Sequence, residues 1–311
     1  MVTYNTALNP ARWPARSSRA LLPTALLSLA CALILPAGVA AQSPERSARQ
    51  VKSAMVANTV PDLKSSAALV IEQGSGRPIY AKNVDTVTPI ASITKVMTAM
   101  VVLDAGLDLE ERIVITEDDR DLLKGTRSRL AIGTVLTRRE LLHLALMASE
   151  NRAADALTRV YPGGTRAFVA TMNQKAVEIG MWRTRFVDGT GLSSGNVSTA
   201  QDLTKLVAEA FKYPLIRELS TDTGVHVRGP RGQAMQYVNS NRLVNSPDWR
   251  IGLSKTGYIS EAGRCLVMQA RIAGKPVIIV LLDSWGKLTR IGDANRIKRW
   301  METRNAGPGA G

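Results

Sequence analysis

Three apolar runs near the C-terminal end constrain the fold more than any other feature of this chain. "IGLSKTGYI" (251–259), "RCLVMQARI" (264–272) and "KPVIIVLLD" (275–283) follow one another, with turn residues at Glu261-Ala262-Gly263 and Ala273-Gly274-Lys275. Strand-length runs spaced by short turns read as a β-meander. Far upstream, "AALVIEQ" (67–73) and "RPIYAK" (77–82) flank Gly74-Ser75-Gly76 and read as a β-hairpin. The segment between is dominated by helical patterns. Strands at both ends with helices between them allow the hairpin and the meander to join in one antiparallel sheet carrying the helices, an α/β (α+β) architecture. No internal repeat and no linker to a second domain is visible.

The first helical pattern places apolar residues at Ile93, Val96, Met97, Met100 and Val101, with Pro89 and Ser92 marking its start and Gly106 its end. "TRRELLHLALMA" has Thr137 as a cap and Glu140 three residues on, a capping box. Further helices are expected over 151–160, stopped by Pro162-Gly163-Gly164, then over 165–179 and 198–212. "TGVHVRG" and "AMQYVNSN" read as strands, and "LTRIGDANRIKRWME" (288–302) as a closing helix.

The opening residues read as an address. Arg12, Arg16 and Arg19 precede an apolar run from Leu21 to Ala37, followed by Gly38-Val39-Ala40-Ala41. That is the pattern of a secretory signal peptide over 1–41. A retained anchor is the alternative, but the run holds Pro23 and Pro36 and is short for a membrane span. Residues 42–62 are polar and read as a mobile lead-in, 63–303 as the folded domain, and 304–311 as a disordered tail. Removal of the leader leaves Cys265 as the single cysteine, so export brings no internal disulfide. Within "RCLVMQA" it reads as a small buried hydrophobe. The net charge of +14, less the three arginines of the leader, leaves +11. Such a chain is drawn to anionic polymers or lipid headgroups. Nucleic acid is not expected: aromatic residues make up 5% of the chain and no recognition motif is present.

One residue is out of place. A capping box after Ser92 would put Glu or Gln at position 95, but the chain has Lys95, a cation where the helix dipole is already positive. Ser92 and Lys95 lie on one helix face. A serine hydroxyl becomes a good nucleophile when a neighbouring base takes its proton. A lysine becomes that base when burial, a helix N-terminus or another cation lowers its pKa. A second SxxK, Ser284-Trp285-Gly286-Lys287, contains glycine and reads as a loop.

Two further motifs accompany the first. "ASENRAADAL" sets Ser149 and Asn151 two apart at a helix junction, a proton relay beside an amide, although Ser149 could also be only the cap of the next helix. "IGLSKTGYI" offers Lys255 as a fixed cation, Thr256 as a hydroxyl, and Gly257, which lets a substrate backbone approach closely. In the order SxxK, SxN, KTG the chain resembles the serine penicillin-recognising enzymes. The stretches "SITKVMTAMV", "SENRAADAL", "DGTGLSSGNVSTAQDLTKL" and "KTGYISEAGRCLVM" resemble the low-molecular-mass penicillin-binding proteins, the D-alanyl-D-alanine peptidases, and within them the short endopeptidase subgroup. The resemblance runs from about Ala67 to Trp300 and implies the serine β-lactamase/penicillin-binding transpeptidase-like fold without a second β-domain.

It also implies roles. Ser92 attacks a D-alanyl carbonyl, Lys95 takes its proton, and Ser149 relays a proton to the leaving amine beside Lys255. The backbone N–H groups of Ser92 and Tyr258 form the oxyanion hole, and Asn151, Thr256 and Gly257 hold the substrate. The partners implied are peptidoglycan cross-links and stem peptides, with β-lactams as acylating inhibitors, and no cofactor is implied. Ser194-Gly195-Asn196 copies SxN but lies in a Gly/Ser-rich loop and reads as cleft lining. No ExxLN pattern follows Asn151, which argues against a β-lactamase. A carboxypeptidase and a non-catalytic wall-binding protein remain as alternatives. Two histidines and one remaining cysteine leave no zinc site. His143, on "LLHLALM", reads as a core residue, and His226 has no triad motif around it.

Overall fold

A computed structural model describes residues 60–305, so the expected leader and most of the expected lead-in and tail lie outside the described residues. In chain order the elements are β1 (Ser65–Glu72), β2 (Pro78–Lys82), β3 (Thr88–Pro89), α1 (Thr94–Asp104), β4 (Arg112–Val114), β5 (Val135–Thr137), α2 (Arg138–His143), α3 (Asn151–Arg159) and α4 (Gly164–Glu178). They continue with β6 (Val197–Ser198), α5 (Ala200–Ala210), α6 (Pro214–Thr221), β7 (Gly224–Arg228), β8 (Ala234–Val238), β9 (Arg250–Ile259), β10 (Gly263–Ile272), β11 (Lys275–Ser284) and α7 (Thr289–Asn305).

Hairpin and meander do share one sheet, in the order β2-β1-β11-β10-β9, with antiparallel neighbours. Alternation along the central strands explains their unbroken apolar runs. Ile278, Val280 and Leu282 of β11 face one core, and Val277, Ile279 and Leu281 face the other. On β10, Cys265 and Val267 face the first core, and Leu266, Met268 and Ala270 the second. Successive side chains of a strand point to opposite faces, so a sheet covered on both sides needs apolar residues at every position. The second face is covered by α7 through Ala294, Ile297, Trp300 and Met301. Asp293, fully buried, accepts hydrogen bonds from the Ser65 N–H at 2.7 Å and its hydroxyl at 2.6 Å, fastening α7 to β1.

The first face carries the other helices. α1 is at their centre, packed against α3, α4 and α5, and every residue from Thr94 to Val102 is buried. A helix apolar on every side is a core helix, and Lys95 is buried with it. The capping box of α2 forms as expected, with the Glu140 N–H donating to Thr137 Oγ1 at 3.1 Å and the Thr137 N–H to Glu140 Oε2 at 2.7 Å.

The strands expected within 223–241 form, and they pair as a separate hairpin, β7–β8, outside the main sheet. Two expectations change. α6 was not expected, although Pro214 at its first turn is a start signal. The closing helix runs to Asn305, so residues 304 and 305 belong to α7 and not to a disordered tail. Among the described residues no helix is long and apolar enough to cross a membrane.

Candidate active site

Ser92 does not cap a helix as its position suggested. It occupies the middle of a 3-10 turn, Ala91–Ile93, that runs directly into α1. Ala91 has φ +48°, a left-handed conformation that non-glycine residues adopt only when their surroundings impose it. Two glycines do so. A Cβ on Gly191 would lie 2.0 Å from Ala91 O, and one on Gly257 would lie 3.1 Å from Ser92 N. The turn is therefore clamped between the 188–196 loop and β9. Being in the first turn of a helix, the Ser92 N–H has no intrahelical acceptor.

Lys95, one turn on, is fully buried. Its Nζ lies 2.9 Å from Ser92 Oγ, 2.8 Å from Asn151 Oδ1 and 2.6 Å from Thr190 O. The carbonyl and amide oxygens can only accept. A neutral amine has two N–H bonds and one lone pair. With both N–H groups on Thr190 O and Asn151 Oδ1, the lone pair faces the Ser92 hydroxyl. Burial pulls the Lys95 pKa down to about 8, against the opposing pull of Asp188, Asp155, Glu150 and Asp121.

A second serine–lysine pair stands opposite. Residues 144–148 form a π-helical turn, and Ser149 follows with φ +62°. The cap of α3 is Glu150, whose side chain accepts from the Arg152 N–H at 3.2 Å, so Ser149 is not a capping residue. Its hydroxyl instead accepts from Lys255 Nζ at 2.8 Å. Lys255 also reaches Thr256 O at 2.9 Å, and burial, then the charges of Lys95 and Arg290, hold its pKa well below the ordinary value. Thr256 Oγ1 is 2.7 Å from Ser240 Oγ. Asn151 is engaged at both ends, through Oδ1 with Lys95 and through Nδ2 with Thr126 Oγ1 at 3.0 Å. Tyr258 is half exposed, with the Arg264 guanidinium stacked on its ring at 4.3 Å.

Sequence reasoning missed four contributors. Thr190 acts through its backbone carbonyl, which no side-chain pattern reveals. Asp188 anchors the loop that presents it, accepting from Thr190 N at 2.7 Å, Thr190 Oγ1 at 2.8 Å, Gly191 N at 2.6 Å and Ser193 N at 2.9 Å. An Asp leading a Gly/Thr/Ser run is a turn signal that would have found it. Arg290 donates to Gly257 O at 2.9 Å, and its buried Nε has no partner. Burial and Arg264 lower its pKa to about 10. The loop at 121–126 is the fourth. It is tied to Asn151 through Thr126 and to the β9–β10 turn through the Lys124–Glu261 ion pair, so it spans the cleft.

The rival constellations lie elsewhere. The Ser194-Gly195-Asn196 copy is part of a loop braced by Asn196, whose Oδ1 accepts from Val187 N at 2.6 Å. Ser284 is buried and bonded to Ser65 Oγ at 2.7 Å. Neither histidine bonds Ser92, and His143 Nε2 sits 3.0 Å from Asp222 Oδ2. Cys265 is buried, and burial raises its thiol to about 11, which keeps it unreactive. Among the described residues no group of three or more His, Cys, Asp or Glu could hold a metal ion.

The clamp on the serine turn gives a direct expectation. Gly191→Ala should displace Ala91 and Ser92, slowing acylation by benzylpenicillin at least tenfold and lowering stability by roughly 1–3 kcal/mol. A variant acylated at the parental rate would show that the loop does not set the serine's position.

Comparison with known proteins places this geometry. The family model described as D-alanyl-D-alanine carboxypeptidase, peptidase S11, matches residues 54–286. A D-alanyl-D-alanine endopeptidase of Pseudomonas aeruginosa is 48% identical over 244 residues, 78% of each chain. One of Escherichia coli is 45% identical over 250 residues, 80% of each chain. The crystal structure of the Streptomyces K15 DD-transpeptidase superposes with a TM-score of 0.71 at 31% identity, covering 78% of this chain and 98% of that one. The fold is that of the penicillin-binding transpeptidases, and the chain belongs to the peptidase S11 family of serine D-alanyl-D-alanine peptidases.

Proposed function

We propose that this chain is a serine D-alanyl-D-alanine endopeptidase that opens D-alanyl cross-links in peptidoglycan through an acyl-enzyme on Ser92. The carrying observation is the arrangement around Lys95, whose Nζ lies within 2.9 Å of Ser92 Oγ and of two fixed acceptors, Asn151 Oδ1 and Thr190 O; in the neutral amine those two take both N–H groups and leave the lone pair for the serine hydroxyl. Ser92 Oγ attacks the D-alanyl carbonyl carbon while its proton passes to Lys95. The negative charge on the carbonyl oxygen falls to the N–H groups of Ser92 and Tyr258, donors fixed where the charge develops. The C–N bond then breaks. Ser149 gives its proton to the departing side-chain amine of the diamino acid and is resupplied from Lys255, 2.8 Å away. Lys95 then hands the serine's proton back through the solvent of the cleft to Lys255, so the amine is neutral again. Water attacks the ester carbonyl, Lys95 takes the water's proton and passes it to Ser92 Oγ as the ester C–O bond breaks, and the acid leaves with Ser92 restored.

Gly257 admits the substrate backbone beside the serine turn, and Thr256 bonds it. Asn151 reaches a substrate carbonyl by exchanging its bond to Thr126. Arg290, with no carboxylate partner among the described residues, favours a substrate carboxylate near Gly257. A β-lactam follows the same path to a lasting ester. The endopeptidase assignment leans on the relatives of that name at 45% and 48% identity, against 25% to 32% for the carboxypeptidases. The leader over 1–41 fits export to the periplasm, ahead of a lead-in at 42–62 and the folded domain. The positive net charge fits peripheral contact with anionic wall polymers or headgroups. That contact should weaken steeply between low and physiological salt in a sacculus-binding assay, and indifference to salt would refute it.

Incubation with a cross-linked muropeptide dimer should release two monomers, with Ser92→Ala inactive. Release of free D-alanine alone from a pentapeptide would favour the carboxypeptidase. The pH dependence follows from Lys95. Only its neutral form accepts the serine proton, so acylation should fall about tenfold per pH unit below a limb near 8. Asp188 favours the charged form, so Asp188→Asn should move this limb to lower pH while its plateau drops. A limb that stays in place would separate Asp188 from the base.

A further inference from the structure

A cavity of about 220 Å³ adjoins the cleft at the end of β9 and shares with the machinery described above only Tyr258, whose side chain has no role there. Tyr258, the residue after Gly257, forms one wall. Trp285 forms another, with Ser260, Arg264, Asp283 and Lys287 between and around them. Trp285 is 78% exposed and Tyr258 54%. Among the described residues only three large aromatic side chains are exposed to this degree, and two of them share this one cavity. Large apolar surface left in water beside a cleft marks a contact yet to be made.

The composition of the cavity selects the ligand. An aromatic face provides a flat apolar platform. The surrounding groups donate and accept in many directions: Arg264 and Lys287 donate, Asp283 accepts, and Ser260 does both. Arg264 lies over the Tyr258 ring and braces it, and neither Arg264 nor Lys287 has an acidic partner among the described ion pairs. A ring with one apolar C–H face and a rim of hydroxyls satisfies both sets of groups together. The polar backbone of a short peptide would satisfy the cations and leave the indole face to whatever side chain happened to reach it, whereas a sugar ring carries both complements in one rigid unit.

We propose that Trp285 and Tyr258, with Arg264 and Asp283, form a saccharide subsite that holds a sugar ring of the glycan bearing the stem peptide. This rests on the peptidase reading of the same cleft. The subsite would make the enzyme prefer cross-links still attached to glycan over free peptides, by binding rather than by chemistry.

The test compares two substrates, a cross-linked muropeptide dimer carrying its disaccharides and the same peptide dimer after enzymatic removal of the sugars. Trp285→Ala changes an exposed side chain, so folding should be unaffected. The variant should raise KM for the sugar-bearing dimer about five- to tenfold with kcat unchanged. Its KM for the sugar-free dimer and its acylation by benzylpenicillin should match the parent. An equal rise in KM for both dimers would make the cavity a peptide subsite and overturn the proposal, as would no rise for either. Failure of the parent protein to be acylated by benzylpenicillin would instead remove the peptidase reading beneath it.

Discussion

The buried amine of Lys95 is the constraint around which this molecule is organised. Taking an ammonium out of water is expensive, and the protein answers by lowering the amine's affinity for its proton. The three oxygens that receive it come from three separately built pieces: the start of α1, the first residue of α3, and the 188–196 loop. None could be placed without the others. Burial of α1 on all sides, the π-helical turn before Ser149 and the four bonds collected by Asp188 all serve to hold these oxygens within hydrogen-bonding distance of one nitrogen.

Lys255 completes the electrostatics. Two lysines buried in one cleft do not both carry a charge comfortably, and a charge on Lys95 favours the neutral form of Lys255. A proton taken from Ser92 therefore raises the pressure on Lys255 to give one up, and Ser149 is the hydroxyl through which it can leave. The outer edge of the sheet does the rest. β9 is an edge strand, and its glycine allows it to press against the serine turn where any side chain would hold the two apart.

Much of this was legible in the sequence because it rests on periodicity and side-chain chemistry. The doubly covered strands β10 and β11 announced themselves as unbroken apolar runs. The Thr137–Glu140 box fixed the start of α2. Ser92, Lys95, Ser149, Asn151, Lys255 and Thr256 were singled out by type and order, and they meet in one cleft. What escaped depends on backbone. The Thr190 carbonyl has no residue signature, and Ser149 looked like a cap because the left-handed turn that frees it cannot be seen in its neighbours. Arg290, 35 positions beyond Lys255, meets Gly257 only through tertiary packing. α6 was missed because its eight residues are too few for a clear period, leaving Pro214 as its one local signal.

The most direct measurement is the titration of Lys95 itself, by NMR of ¹³C-labelled lysine with the Lys95 Cε resonance assigned through its loss in Lys95→Met. A midpoint near 8 is expected, in step with the acid limb of acylation. A midpoint near the ordinary 10.5 would leave only about one amine in 3,000 neutral at pH 7, against about one in ten for a midpoint near 8, and another group would have to take the serine's proton.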